Sequence, residues 1–258
     1  MNRIADADST SSTQLESSYG EQSKDPYTVM LLHFNEANGT TVGITDMAST
    51  TRVITTVGNA NTTSATTQLG MGNSAAFDGA GDYLSLPDSE DWNFGSGDFS
   101  VDTWIRYTSV SGNQMVYSQG TDASNNIKVY SSSSDTTLNL VFDAGATFTF
   151  GSTWAPSANI WYHIAIARNN NDFKMFVNGV QIGSKTQSYT VGNYTGSAII
   201  GEDYDGAGNP FSGYLDSFRI LKGRALTPEE IKAAASRRPY AVYTSPVVDA
   251  AASVRWDT

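Results

Sequence analysis

Short runs in which apolar and polar residues alternate recur along this chain at intervals of about ten residues, the pattern of half-buried β-strands and not of helices. The first predicted strand, over 27–34, carries the run Val29-Met30-Leu31-Leu32, which is apolar on both faces and so belongs inside a sheet. After a turn-rich stretch, further strands are predicted over 53–57, 75–77, 83–86, 99–108, 114–119, 127–131, 138–143, 160–168, 172–177, 181–186, 198–201 and 213–221. Many short strands with no helix between them predict antiparallel sheets packed face to face. Asn178-Gly179, set between two apolar runs, is a hairpin signal, because both residues accept the positive φ of a type I′ turn.

The last of these runs leads directly into a helix start. Strict alternation places Leu215, Ser217, Arg219 and Leu221 on one face and Tyr214, Asp216, Phe218 and Ile220 on the other, so Asp216 falls among apolar neighbours and needs a partner. Thr227 reads as an N-cap, Pro228 as the first helical residue and Glu230 as the capping-box acid, which predicts a helix from Pro228 to about Ser236.

That junction joins three earlier segments in a recognisable order. They are Leu31-Leu32-His33-Phe34-Asn35-Glu36-Ala37-Asn38-Gly39, then Ala76-Phe77-Asp78-Gly79-Ala80-Gly81-Asp82-Tyr83-Leu84 with Gly97-Asp98-Phe99-Ser100-Val101-Asp102-Thr103-Trp104-Ile105, then Trp161-Tyr162-His163-Ile164-Ala165 with Phe176-Val177-Asn178-Gly179. Together they resemble the concanavalin A-like lectin/glucanase superfamily, in its laminin-G-like modules from bacterial surface and phage structural proteins. The resemblance implies an all-β fold, an antiparallel two-sheet jelly-roll sandwich with a short C-terminal helix. It also implies a structural calcium held by the aspartate of the last strand, here Asp216, with Glu36 and Asp46 from the first loop as partners. The alternative for Asp216 is hydrogen bonding to a turn or pairing with an arginine. Fold alone does not choose among the enzymes, lectins and structural modules built on it.

Composition narrows the choice. Residues 1–26 are polar and rich in Ser and Thr, and predict a flexible leader; 27–236 form the jelly-roll domain with its closing helix; 237–258 read as an extended tail or the start of a following β domain. The net charge of −11, with no basic cluster beyond Arg237-Arg238, argues against nucleic acid as a partner. No apolar run approaches the ~20 residues that span a bilayer, and no apolar segment behind a basic start marks a secretory signal. Cysteine is absent, which removes disulfides and thiolate chemistry.

Candidate chemistry is sparse. Glycosidases of the superfamily set two or three carboxylates at alternate positions of one strand, so that an acid/base and a nucleophile flank the sugar bond. Here only Glu202-Asp203-Tyr204-Asp205 has that spacing in part, and it adjoins a Gly-rich loop. The two histidines, His33 and His163, sit in strand segments without a nucleophile elbow. Asp203-x-Asp205-x-Ala207-Gly208 departs from an EF-hand loop at its fifth position and has Tyr214 at the twelfth. Sugar binding without catalysis needs aromatic rings and amide or acid groups on loops. Trp92, Trp154, Tyr194, Tyr204 and Phe211 lie in turn-rich segments, whereas Trp104 and Trp161 fall in strands as core packing. Tyr204 and Phe211, flanked by Asp203, Asp205 and Asn209, form the first-choice ligand contact. The expectation is a non-enzymatic carbohydrate-binding or adhesion module of a larger extracellular, cell-surface or virion protein, its partner a glycan. The alternative is a structural module binding neighbouring protein subunits.

Overall fold

The computed structural model describes residues 25–48, 52–68, 72–134, 136–143, 148–206 and 208–236; the leader over 1–24 and the tail over 237–258 lie outside them. Asp25, assigned to the leader by composition, is part of the domain: it accepts from Tyr27 N at 3.0 Å and pairs with Arg224. The strands are β1 Thr28–Leu32, β2 Thr55–Val57, β3 Asn61–Thr63, β4 Ser74–Asp78, β5 Tyr83–Leu86, β6 Phe99–Tyr107, β7 Asn113–Asp122, β8 Asn125–Ser132, β9 Thr137–Phe142, β10 Phe148–Thr153, β11 Trp161–Asn169, β12 Asp172–Val177, β13 Val180–Thr186, β14 Ala198–Ile200 and β15 Ser212–Lys222. Among the described residues one α-helix, α1, spans Pro228–Ala235, and a short 3-10 helix covers Glu90–Trp92.

All pairings are antiparallel. The first sheet runs β13-β12-β11-β6-β15-β4-β3, with β1 also paired to β15; the second runs β10-β9-β8-β7-β14-β5-β2. Phe99, Val101, Ile105, Ile164, Ile166 and Phe218 from the first sheet meet Val116, Ile127, Val129, Leu138, Leu140 and Phe142 from the second in one core, the packing expected of a two-sheet sandwich. Trp92, Trp154, Tyr194 and Phe211, read as loop aromatics, are all buried in that core.

Strand β15 explains a correction. Its N-terminal half pairs with β4 and its C-terminal half with β1, and the register against β6 shifts between Asp216 and Arg219. Ser217 sits in the bulge at φ +51. One extra residue reverses the parity of everything after it. Leu215, Phe218 and Ile220 therefore share the core face, while Asp216 joins Arg219 and Leu221 on the outer face, not the company strict alternation gave it.

Helix α1 covers part of that outer face. Leu226 and Ile231 pack on Ala165, Ala167, Phe176 and Leu221, where the small side chains of β11 let the helix approach. The capping box forms as the sequence predicts, with Thr227 Oγ1 accepting from Glu230 N and Glu230 Oε2 accepting from Thr227 N. Asn178 (φ +49) and Gly179 (φ +77) form the predicted hairpin turn, and a Cβ on Gly179 would come within 3.0 Å of Lys232 Cα, so this glycine also seats the helix.

Candidate functional site

On the outer face of the second sheet, β7 to β10 lie side by side. Cross-strand register sets Met115 beside Tyr130, Lys128 beside Val141, and Val141 beside Thr149. With Asn113 at the start of β7 and Asn209 from the loop between β14 and β15, these side chains line a groove of about 270 Å³. Met115 and Val141 supply a buried apolar floor, Tyr130 a half-buried ring, and Asn113, Thr149 and Asn209 the polar rim. Such a mixture of apolar surface with a few placed polar groups is the usual make-up of a small-molecule site.

The loop chosen from sequence borders this groove. It is pinned along its length: Ser118 Oγ donates to Glu202 O at 2.8 Å, Met115 N to Asn209 O at 3.0 Å, and Phe211 N to Gly201 O at 2.8 Å. Asp203 Oδ2 accepts from Lys128 Nζ at 2.7 Å, and the same ammonium lies 5.0 Å from the centre of the Tyr204 ring. A Cβ on Gly120 would meet that ring at 2.6 Å, so only glycine there lets Tyr204 lie against the sheet. Burial, then the charges of Asp205, Asp203 and Asp122, push the Tyr204 hydroxyl upward. Burial also raises Glu202, which is 2% exposed and takes Asp203 N on its carboxylate.

Of the five ligand residues expected, Asn209 lines the groove, Asp203 and Tyr204 touch its Lys128 without lining it, and Asp205 is exposed at the loop tip. Phe211 is a correction: it is fully buried, 5.8 Å from Phe77 and 5.5 Å from Tyr107 between ring centres, and reaches no ligand. Sequence reasoning missed Lys128, Tyr130, Asn113 and Met115. For Lys128 and Tyr130 the signal was the alternation of β8, which puts both on one outward face.

A second polar cluster lies on the outer face of the first sheet. Arg219 donates to both oxygens of Asp102, from Nε and Nη2, each at 2.8 Å. His163 Nε2 lies 3.3 Å from Asp102 Oδ2; an ionised carboxylate only accepts, so Nε2 carries the proton of this bond. All three side chains are buried. Burial alone would raise the Asp102 carboxyl, but the Arg219 charge and the hydrogen bonds from His163 and Arg219 overcome it and hold Asp102 far below the usual carboxylate range. Trp104 packs edge-on against His163 at 5.3 Å. It stands opposite His163 in the β6–β11 register, as Trp161 stands opposite Arg106. Both tryptophans thus belong to this outer face and not to the inter-sheet core expected from sequence.

The three residues expected to hold calcium are not gathered. Asp46 Oδ1 takes Leu31 N and Ala48 N, and its Oδ2 takes Arg52 Nη1 at 2.8 Å, so a cation already occupies its charge. Glu36 Oε1 closes the first loop on Thr45 N at 2.7 Å. Asp216 accepts from Gln68 N at 3.3 Å and from Ser217 Oγ at 3.2 Å, the turn-bonded alternative. Among the described residues no three acidic or histidine side chains form a metal-holding group. This donor set does not fit an oxygen-rich calcium cage. The melting temperature is therefore expected to be the same in excess chelator and in millimolar calcium; a rise in calcium would reinstate the ion, since a ligand of the native state alone stabilises it by mass action.

A family model, Laminin_G_3 of the concanavalin A-like lectin/glucanases superfamily, matches residues 78–232. Among solved structures, domain 4 of AbnA, a GH43 extracellular arabinanase from Geobacillus stearothermophilus, in complex with arabinotriose, is similar at TM-score 0.65 and 20% identity over 81% of this chain and 98% of that one. The binding domain of Paraclostridial Mosquitocidal Protein 1 is similar at TM-score 0.61 and 18% identity, over 81% of this chain and 52% of that one. The binding domain of Botulinum Neurotoxin DC in complex with SialylT is similar at TM-score 0.62 and 13% identity, over 83% and 52%. This chain thus spans about half the length of those two toxin chains. At such identities the likeness is one of fold. No curated protein is a significant match to this sequence.

Proposed function

From a chain that belongs to the concanavalin A-like lectin/glucanases superfamily, we propose a non-enzymatic glycan-binding module of an extracellular protein. The observation that carries this reading is the groove on the second sheet, where the Tyr130 ring and an apolar floor lie within a rim of amides, a hydroxyl and the Lys128–Asp203 pair. A pyranose or furanose presents the complementary surfaces, apolar C–H faces for the ring and hydroxyls for the rim. The AbnA domain that shares the fold is bound to arabinotriose, which supports a carbohydrate ligand and suggests the first probe.

Catalysis is disfavoured by the carboxylates themselves. Asp203 is neutralised by Lys128, and Glu202 is buried against Asp203 N, so neither stands ready as the paired acid and nucleophile of a glycosidase. Because the ring and most of the rim sit on strands, and Asn209 is tied to β7 through Met115 N, they are held before ligand arrives, which lowers the ordering cost of binding.

The test is a glycan array with the intact chain, followed by calorimetry on the hits. Tyr130→Ala is expected to lower affinity at least about tenfold, or 1.4 kcal/mol, with a fall in melting temperature of only a few degrees, since Tyr130 is half-buried on the outer face. Binding that survives Tyr130→Ala and Lys128→Ala at full strength would place the glycan elsewhere. An array without hits, together with capture of protein subunits, would favour the protein-binding role.

A further inference from the structure

The groove does not end at its rim. Asn113 and Asn209, which bound it on one side, also line a second pocket of about 400 Å³ between the loops that follow β4 and β6 and the start of β15. We propose that the two pockets form one trough that takes a neutral oligosaccharide, with one sugar against Tyr130 and the next among the hydroxyls and amides of the second pocket. This rests on the glycan-binding reading and adds to it the length and charge of the ligand.

The walls of the second pocket have a different chemistry from those of the first. Among the described residues no aromatic ring lines it; Asp78, Ser109, Ser111, Gln114 and Ser212 do. Most of this wall is fixed. Gln114 Nε2 donates to Ser111 O at 2.8 Å, Gln114 Oε1 accepts from Ser212 N at 2.7 Å, and Ser212 Oγ is 2.8 Å from Thr108 Oγ1. Asn209, at the junction, is held at φ +66 with its carbonyl on Met115 N. A ringless wall of pinned polar groups grips hydroxyls and stacks nothing, so it serves as an added subsite and not as a second stacking platform. At about 270 Å³ the first pocket alone is slightly below the usual range of ~300–1,000 Å³ for ligand sites; joined to the second, the site falls within it.

Charge decides the ligand class. Among the described residues Lys128 is the one cation lining either pocket, and Asp203 already holds it at 2.7 Å. An acidic sugar would bring a carboxylate towards Asp78 with no spare cation to meet it, in a chain of net charge −11. Leaving such a charge desolvated and unpaired is costly, so neutral sugars are selected.

The test is calorimetry of the intact chain against the mono-, di-, tri- and tetrasaccharides of α-1,5-arabinan, β-1,4-glucan and β-1,3-glucan, with lactose and sialyllactose as a charge pair. For the ladder that binds, affinity is expected to rise about tenfold from mono- to trisaccharide and then level off. The double variant Ser109→Ala/Ser111→Ala, both exposed, is expected to flatten that rise and leave monosaccharide affinity as it was. Sialyllactose is expected to bind at least about tenfold more weakly than lactose. A flat ladder that still depends on Tyr130, or tighter binding of sialyllactose, overturns the trough while leaving glycan recognition standing. No binding by any of these sugars overturns both.

Discussion

Asp102→Ala is expected to destabilise the fold by about 3–5 kcal/mol, the usual cost of removing one partner from a buried ion pair. The loss has an identifiable source. Arg219 is 7% exposed and both of its bonds to a carboxylate end on Asp102, so the substitution strands a guanidinium in the packed outer face of the first sheet. His163, 2% exposed, loses its Nε2 partner at the same time, with Nδ1 already lacking one among the described residues. In a domain of this size about 1 kcal/mol corresponds to 2–4 °C, so a fall in Tm of about 10 °C is expected. The double variant Asp102→Leu/Arg219→Met, which removes both charges, should recover most of the loss. A single variant that unfolds at the wild-type denaturant midpoint would show that the pair is solvated and that its geometry carries little energy.

The same residues show what the sequence could and could not reveal. Elements set by local chemistry were legible: the Asn178-Gly179 turn, the Thr227 capping box, and the strands Tyr83–Leu86 and Asp172–Val177 all form where the pattern puts them. Strand β10 was overlooked although Phe148, Phe150 and Ser152 are buried and Thr149, Gly151 and Thr153 exposed in strict alternation. Strand β3, Asn61–Thr63, is short and polar and has no signal of its own. The bulge at Ser217 is invisible to any period-2 reading, and with it went the pairing of Asp102 and Arg219, 117 positions apart. The loop between β14 and β15 stood out in the sequence because amides, acids and aromatics cluster in it. The groove beside it did not, because outward-facing strand residues such as Lys128 and Tyr130 look like ordinary solvent-facing positions until four strands are laid together. Phe211 was misread for the converse reason: a loop composition surrounds a side chain that β15 turns inward.

Asp216 supplies the second large effect, and its sign is opposite to that of most paired carboxylates. It is 3% exposed, and Arg219, the nearest cation along its strand, is committed to Asp102. Burial pushes its carboxyl up to about 7, a rise that the hydrogen bonds from Gln68 N and Ser217 only partly offset. The unfolded chain would titrate this group near 3.9. Between those two values the native state holds a proton that the unfolded state has lost. The stability Asp216 contributes is therefore fully present below about pH 4, declines as pH rises to about 7, and changes no further above it. At about 1.4 kcal/mol per unit, the decline amounts to roughly 4 kcal/mol. Asn keeps a carbonyl for Gln68 N, and its amide can donate to the Ser217 hydroxyl, which accepts as readily as it donates. Asp216→Asn is thus expected to match the wild type at pH 4.5 and to exceed it by about 3–4 kcal/mol at pH 8. Comparing the two proteins at each pH removes the contributions of every other titrating group, because both carry them. If the variant were equally destabilised at both pH values, Asp216 would be ionised in the native state and its charge would be in use.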